Sequence, residues 1–210
     1  MSEKILALVS VGNKYTSSAL NVVNKFSELG WRIHILTDNP EVFENCTVET
    51  FSNSIFSYFD KMLFVLKCVK TCNNGVLYID VDRVDEYSIE LLNKLTTFKD
   101  TTILNYWPES KEFKGLYSKG KHFTPFIHFC ELENLDYDID TFSEEIFFVP
   151  FLDKIDRVIH DVEKLKPVFE YQSLISRDTN MYYPNIGNAE GLALSYALKN
   201  NGYKLHKYEH

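Results

Sequence analysis

Cysteine is scarce in this sequence: four residues in 210, at Cys46, Cys68, Cys72 and Cys130. There is no CxxC pair, and the density is far below that of a secreted disulfide scaffold, so the usage fits a reducing compartment. Cys68 and Cys72 are four apart in a helical pattern, a spacing that can offer two thiolates to zinc; we read them instead as buried free thiols. Basic residues are also in deficit, with 22 Lys and Arg against 30 Asp and Glu, a formal charge of -8 and a pI near 5.3. That balance excludes a broad cationic face for neutralising a nucleic-acid backbone. It does not exclude a nucleotide, because one Lys and one divalent cation suffice for a diphosphate. Long hydrophobic runs are missing too. The apolar runs, such as residues 5–9 and 146–149, are much too short to span a bilayer. With no signal-peptide pattern at the N-terminus, the expectation is a cytoplasmic protein without a membrane span. Internal repeats, linkers and low-complexity segments are absent as well. The tail reaches His210 without a clear stop, as in a piece of a longer polypeptide with further domains.

What is present is core material. Hydrophobic residues make up 45% of the chain and aromatics 15%, with 16 Phe and 13 Tyr, enough for one domain spanning residues 1–210.

The apolar pattern alternates between strand and helix. Residues 4–11 (KILALVSV) read as a strand buried on both faces, ending at a Gly12-Asn13 turn. Ala19, Leu20, Val22, Val23, Phe26 and Leu29 then recur at helical spacing, with Thr16, Ser17 or Ser18 as cap and Gly30 as stop. Residues 31–37 (WRIHILT) form the second strand of a βαβ unit, closed by Asp38-Asn39-Pro40. A helix is predicted over residues 57–72, stopped by Asn73-Asn74-Gly75, followed by a short strand at 76–79 that runs into Asp80-Val81-Asp82. Further predicted elements are a helix at 88–95, strands at 101–106 and 145–151, a helix at 153–166 stopped by Pro167, a helix at 188–200 and a strand-like tail. Residues 107–137 are irregular and rich in aromatics, as expected of loops that shape a binding surface.

In open parallel sheets ligands sit beyond the carboxyl ends of the strands, which singles out residues 10–15, 37–38 and 80–82. Asp80 and Asp82, at i and i+2 after an apolar strand, can both turn toward one Mg²⁺ or Mn²⁺ and leave positions for phosphate oxygens. The bland alternative is a solvated turn.

The succession KILALVSVGNKY, HILTD, YFDKMLFVLKCV and GVLYIDVD, over about residues 4–82, resembles the nucleotide-binding half of a GT-A fold glycosyltransferase. The resemblance implies an α/β fold, a Rossmann-like and mostly parallel central sheet flanked by helices, with a smaller acceptor-side region. It divides the domain into a nucleotide-sugar-binding half, 1–106, and an acceptor and catalytic half, 107–210. In that family the loop after the first strand and the end of the second hold the nucleoside, usually uridine, which implies Ser10, Val11, Gly12, Tyr15, Thr37 and Asp38. Lys61 takes the place of the basic residue that reaches the diphosphate or donor sugar; otherwise it is a solvated helix residue. Asp80, Val81 and Asp82 then hold Mn²⁺ or Mg²⁺ against a UDP-sugar, the expected donor substrate. The second half resembles the family through FSEEIFFVP, residues 142–150. Retaining members usually carry small residues where Glu144 and Glu145 stand; an inverting transferase needs a carboxylate base, a role either can fill. In NIGNAEGLALSYALKNNGYKLH, Asn188 and Glu190 match a helix start beneath the donor sugar, although Glu190 also suits a helix dipole. His206 falls where some related enzymes add a third metal ligand. His122 and His128 carry no distinguishing spacing. As a whole the chain also resembles the N-terminal glycosyltransferase domain of a chlorella-virus protein.

Two other functions are compatible with the same pattern. A haloacid-dehalogenase-like phosphatase also places DxD after an apolar strand, with the first Asp as nucleophile. Here, however, Arg83-Val84 follows, and the motif comes after two βα units. A non-catalytic module binding a nucleotide or glycan would use the aromatics of residues 107–137 to stack on sugar faces.

Overall fold

Ile5, Leu6, Ala7 and Leu8 are all buried, yet successive side chains of a strand point to opposite faces, so the first strand must be covered on both sides. The computed structural model, which describes residues 3–53, 56–103, 131–134, 145–178 and 189–208, shows how. Its elements run β1 (Ile5–Ser10), α1 (Asn13–Glu28), β2 (Arg32–Thr37), β3 (Thr47–Thr50), α2 (Tyr58–Cys72), β4 (Val76–Ile79), α3 (Ile89–Leu95), β5 (Thr101–Ile103), β6 (Ile146–Val149), α4 (Ile155–Asp178), α5 (Ala189–Asn200) and β7 (Leu205–Lys207). The strands form one sheet in the order β3-β2-β1-β4-β6-β5-β7. Neighbours are parallel except at β6, which runs antiparallel to both β4 and β5. The protein is therefore α/β, with a Rossmann-like, mostly parallel central sheet flanked by helices.

Alternation along each strand feeds two cores. Ile5, Ala7, Val76, Tyr78, Phe147 and Val149 face α2, α4 and α5. Leu6, Leu8, Leu77, Ile79, Ile146 and Phe148 face α1 and α3. A fully buried Leu, Ile or Phe contributes about 1.5–3 kcal/mol, so neither helical layer is dispensable.

Several boundaries differ from the sequence reading for local reasons. Helix α1 starts at Asn13, because Gly12 at φ 93° turns the chain directly from strand to helix; Thr16, Ser17 and Ser18 lie inside it and do not cap it. Strand β3 has no counterpart among the elements read from the sequence, since its four residues pair only with β2 at the sheet edge and none of them is fully buried. Pro167 does not stop α4, which runs to Asp178 with the proline inside. Pro167 is exposed, so the carbonyl left without its helical donor can be hydrated, while Val158, Val162 and Leu165 keep the buried face continuous. Among the described residues no helix is long and apolar enough to cross a membrane.

Candidate functional site

Strands β1 and β4 are parallel neighbours, so the turns that follow them emerge side by side. Between these turns and the start of α2 lies a cleft of about 490 Å³, and Val11, Tyr15, Lys61, Asp80, Val81, Asp82 and Glu145 all line it. Seven residues expected at the site from sequence therefore converge, from four separate stretches of chain.

The β1 side is set by Gly12. Its positive φ is a conformation that side chains disfavour, and its amide donates to both carboxylate oxygens of Asp38 at 3.1 and 3.0 Å. That contact ties the ends of β1 and β2 together just beyond their last pair, Ser10 and Thr37. Thr37 is buried and its hydroxyl accepts from the Asn39 amide. Ser10 is fully buried, and its hydroxyl has no hydrogen-bond partner among the described residues.

Lys61 is delivered by the first turns of α2. Ser57 caps that helix, accepting from the Phe59 amide, and Asp60 returns a bond to the Ser57 amide, a reciprocal capping box. Lys166 from α4 braces Asp60 at 2.9 Å. The next residue, Lys61, is only 5% exposed, which rules out a solvated helix position. Its ammonium lies 3.8 Å from Asp80 Oδ1 and 5.3 Å from the centre of the Tyr78 ring.

Asp80 thus sits in competing fields. Burial pushes its pKa above the ordinary carboxylate value, Lys61 and the Tyr78 hydroxyl pull it down, and Asp82 and Glu145 push it up again. The Tyr78 hydroxyl donates to the same oxygen, Oδ1, that faces Lys61, so Oδ2 takes part in neither contact. Asp82 is exposed and accepts no hydrogen bond from a described residue. Two carboxylates on one tight turn supply hard oxygen ligands of the type Mg²⁺ and Mn²⁺ prefer. Among the described residues no group of three or more His, Cys, Asp or Glu side chains could hold a metal by itself. A cation on this pair would draw its remaining ligands from substrate or water.

Other expected residues fall elsewhere. Glu145 lines the cleft, but its carboxylate is paired with Arg83 at 3.3 Å. Glu144 and Asn188 lie outside the described residues, as do His122, His128 and Cys130. Glu190 is in the first turn of α5, with its side chain outside the description. His206 is on β7 at the sheet edge, its ring 4.7 Å from that of Phe98. Three strand spacings, roughly 14 Å, separate β7 from β4, so this arrangement does not bring His206 to the aspartate pair. Cys68 is a buried free thiol whose pKa burial pushes well up, and Cys72 contacts His34 Nε2 at 3.4 Å. Neither offers a ready thiolate to zinc.

The sequence reading missed Tyr78 and Arg83, which both line the cleft. Tyr78 had passed as one more strand residue. Only its hydroxyl, two positions before Asp80, hinted at a polar task for a side chain otherwise buried to 1%.

The sequence matches no protein-family model and no curated protein. Among solved structures, the crystal structure of the glycosyltransferase GlyE in Streptococcus pneumoniae TIGR4 is similar at a TM-score of 0.36 and 9% identity, over 100% of this chain and 46% of that one. The chain thus spans less than half the length of the GlyE chain, and a likeness of this degree assigns neither residues nor activity.

Proposed function

We propose that this protein is a metal-dependent glycosyltransferase that moves a sugar of the hexose class from a UDP-sugar to a hydroxyl of a glycan or another acceptor. The observation that carries this reading is the joint placement of Asp80, Asp82 and Lys61 in one cleft at the carboxyl ends of β1 and β4, where open α/β sheets bind their ligands. The volume, about 490 Å³, is that of a small-molecule site. Charge supports the same ligand. Three carboxylates, Asp80, Asp82 and Glu145, face two cations, Lys61 and Arg83, leaving the cleft one charge negative. One divalent cation makes it one charge positive, which suits a diphosphate.

In this reading Asp80 and Asp82 hold Mn²⁺ or Mg²⁺, which when bound supplies Lewis-acid stabilisation to the diphosphate. Lys61 is the residue of this chain that acts on the leaving group. Its nearly dry ammonium is poorly screened, so it stabilises the charge developing on the departing oxygen more than a surface lysine can. Tyr15 offers a ring to the nucleobase, and Val11, Gly12, Thr37 and Asp38 frame the nucleoside beside it. The bond from the anomeric carbon to the diphosphate oxygen breaks with its electrons on the diphosphate, and the acceptor oxygen bonds to that carbon as it gives up its proton. Glu144 is the proposed base that takes that proton, since the carboxylate of Glu145 is engaged by Arg83, and Glu190 and Asn188 are the proposed residues beneath the donor sugar.

Asp82→Ala tests the reading without endangering the fold, because Asp82 is exposed and accepts no hydrogen bond from a described residue. By calorimetric titration, UDP should bind the parent protein in a Mn²⁺-dependent manner and bind the variant at least about tenfold more weakly, with both proteins melting within a few degrees of each other. Equal affinity in the two would sink the proposal. Phosphate release from a simple phosphomonoester with no response to UDP would point to the phosphatase alternative, and tight UDP-sugar binding with no turnover to a binding module.

A further inference from the structure

Glu145 touches the aspartate turn at both of its ends. Its backbone carbonyl accepts from the Asp80 amide at 2.8 Å, one residue beyond the last β4–β6 pair, Ile79 with Ile146. Its carboxylate takes Nη2 of Arg83 at 3.3 Å. The turn is also closed internally, by the Arg83 amide donating to the Asp80 carbonyl at 3.0 Å. The other arm of the Arg83 fork, Nη1, holds Glu86 at 2.7 Å, where the short 3-10 turn Val84–Glu86 ends. One guanidinium therefore joins β6, the aspartate turn and the segment after it, which a point-charge lysine could not do in the same geometry.

This bracket matters because of what lies within it. Asp82 accepts no hydrogen bond from a described residue, so its position is inherited from the backbone of the turn. Asp80, by contrast, is held through its own side chain by Tyr78 and Lys61. Two carboxylates share one small cation only if both reach it within about 2.0–2.2 Å, and a displacement of about 1 Å is enough to spoil such a site.

We propose that Arg83 and Glu145 are positioning residues: a clamp that fixes the Asp80–Asp82 turn so that the second carboxylate stays in register with the first. Glu145 then serves the site through Arg83 instead of acting as a free base. The clamp rests on the metal-binding reading above and adds to it the device that keeps the two ligands together.

A double-mutant cycle tests the clamp, with Mn²⁺-dependent UDP binding by calorimetry as the readout and melting temperature measured alongside. Arg83→Ala and Glu145→Ala should each weaken binding about tenfold, and the double variant should be no weaker than either single one, because both remove the same bracket. Arg83→Lys, which keeps the charge and loses the fork, should behave like Arg83→Ala, and it stands in if the alanine variant fails to fold. Affinity unchanged in the single variants overturns the clamp. So does a double variant weakened about a hundredfold, the product expected if each side chain met the ligand independently. If the parent protein binds no UDP with Mn²⁺, the metal-binding reading fails and the clamp with it, a failure visible before any variant is made.

Discussion

At the scale of single residues, the site depends on a carboxylate whose charge its surroundings oppose. Asp80 is pushed toward the neutral acid chiefly by burial and drawn back by Lys61 and the Tyr78 hydroxyl. Tyr78→Phe removes one hydroxyl from a ring that is otherwise 1% exposed, and hydrogen bonds to charged groups contribute about 1.5–3 kcal/mol. We expect the variant to melt within a few degrees of the parent and to bind UDP with Mn²⁺ about tenfold more weakly, as measured by calorimetry. His34 supplies a pH prediction away from the site. Burial, helped by Arg32, lowers its pKa below the ordinary value of 6.5. As pH falls through that value the unfolded chain takes up a proton that the folded one refuses, so the stability present above it is lost. Urea midpoints should fall between about pH 7 and about pH 5, and less steeply in His34→Gln. Asp80 and Asp82 were legible because an apolar strand running into DxD is a local pattern, and Lys61 only through the family resemblance of the helix before it. Tyr78 and Arg83 were not. Tyr78 works through its hydroxyl while its ring looks like core, and Arg83 finds its partner Glu145 far along the chain.

Among the secondary-structure elements, helix α2 was the easiest to read and α4 the hardest to end. Ser57 and Asp60 form the capping box of α2, and Asn73 closes it in the left-handed region at φ 51°; all three signals lie within a few residues of the helix they bound. Pro167 gave an equally local signal that proved misleading, because a buried face continuous through Leu165 outweighs one missing hydrogen bond on the exposed side. Replacing it therefore carries a definite expectation. Pro167→Ala restores the missing donor without touching the core, and it should raise stability by up to about 3 kcal/mol in a urea titration. An unchanged or lower midpoint would mean that the proline is accommodated at no cost. Strand β3 stayed hidden for the opposite reason: four partly exposed residues leave almost no hydrophobic pattern.

For the molecule as a whole, what no local pattern could reveal was the direction of β6. Its sequence, IFFV, is buried throughout and reads the same in either sense. The strand comes from the second half of the chain, yet it lies between β4 and β5 of the first. A fragment comprising residues 1–106 would leave β4 with an open, apolar edge; expressed alone, it should aggregate or show no cooperative melting in calorimetry. An all-apolar strand also has little of its own to fix its alignment, since sliding it by two residues keeps every side chain on the same face. Part of the answer is at Gly75, where even a methyl group would lie 2.5 Å from the tip of the Phe148 ring, so that ring seats in the one neighbouring place that has no side chain. Were β6 to slide two places, helix and sheet content would look normal to a spectrometer, but Ser143 or Phe147 would stand opposite Asp80 where Glu145 does now. Such a molecule would be folded by every bulk measure and chemically blank, its fault traceable to a methyl group gained at Gly75, 70 residues away from the acid that this glycine helps keep in place.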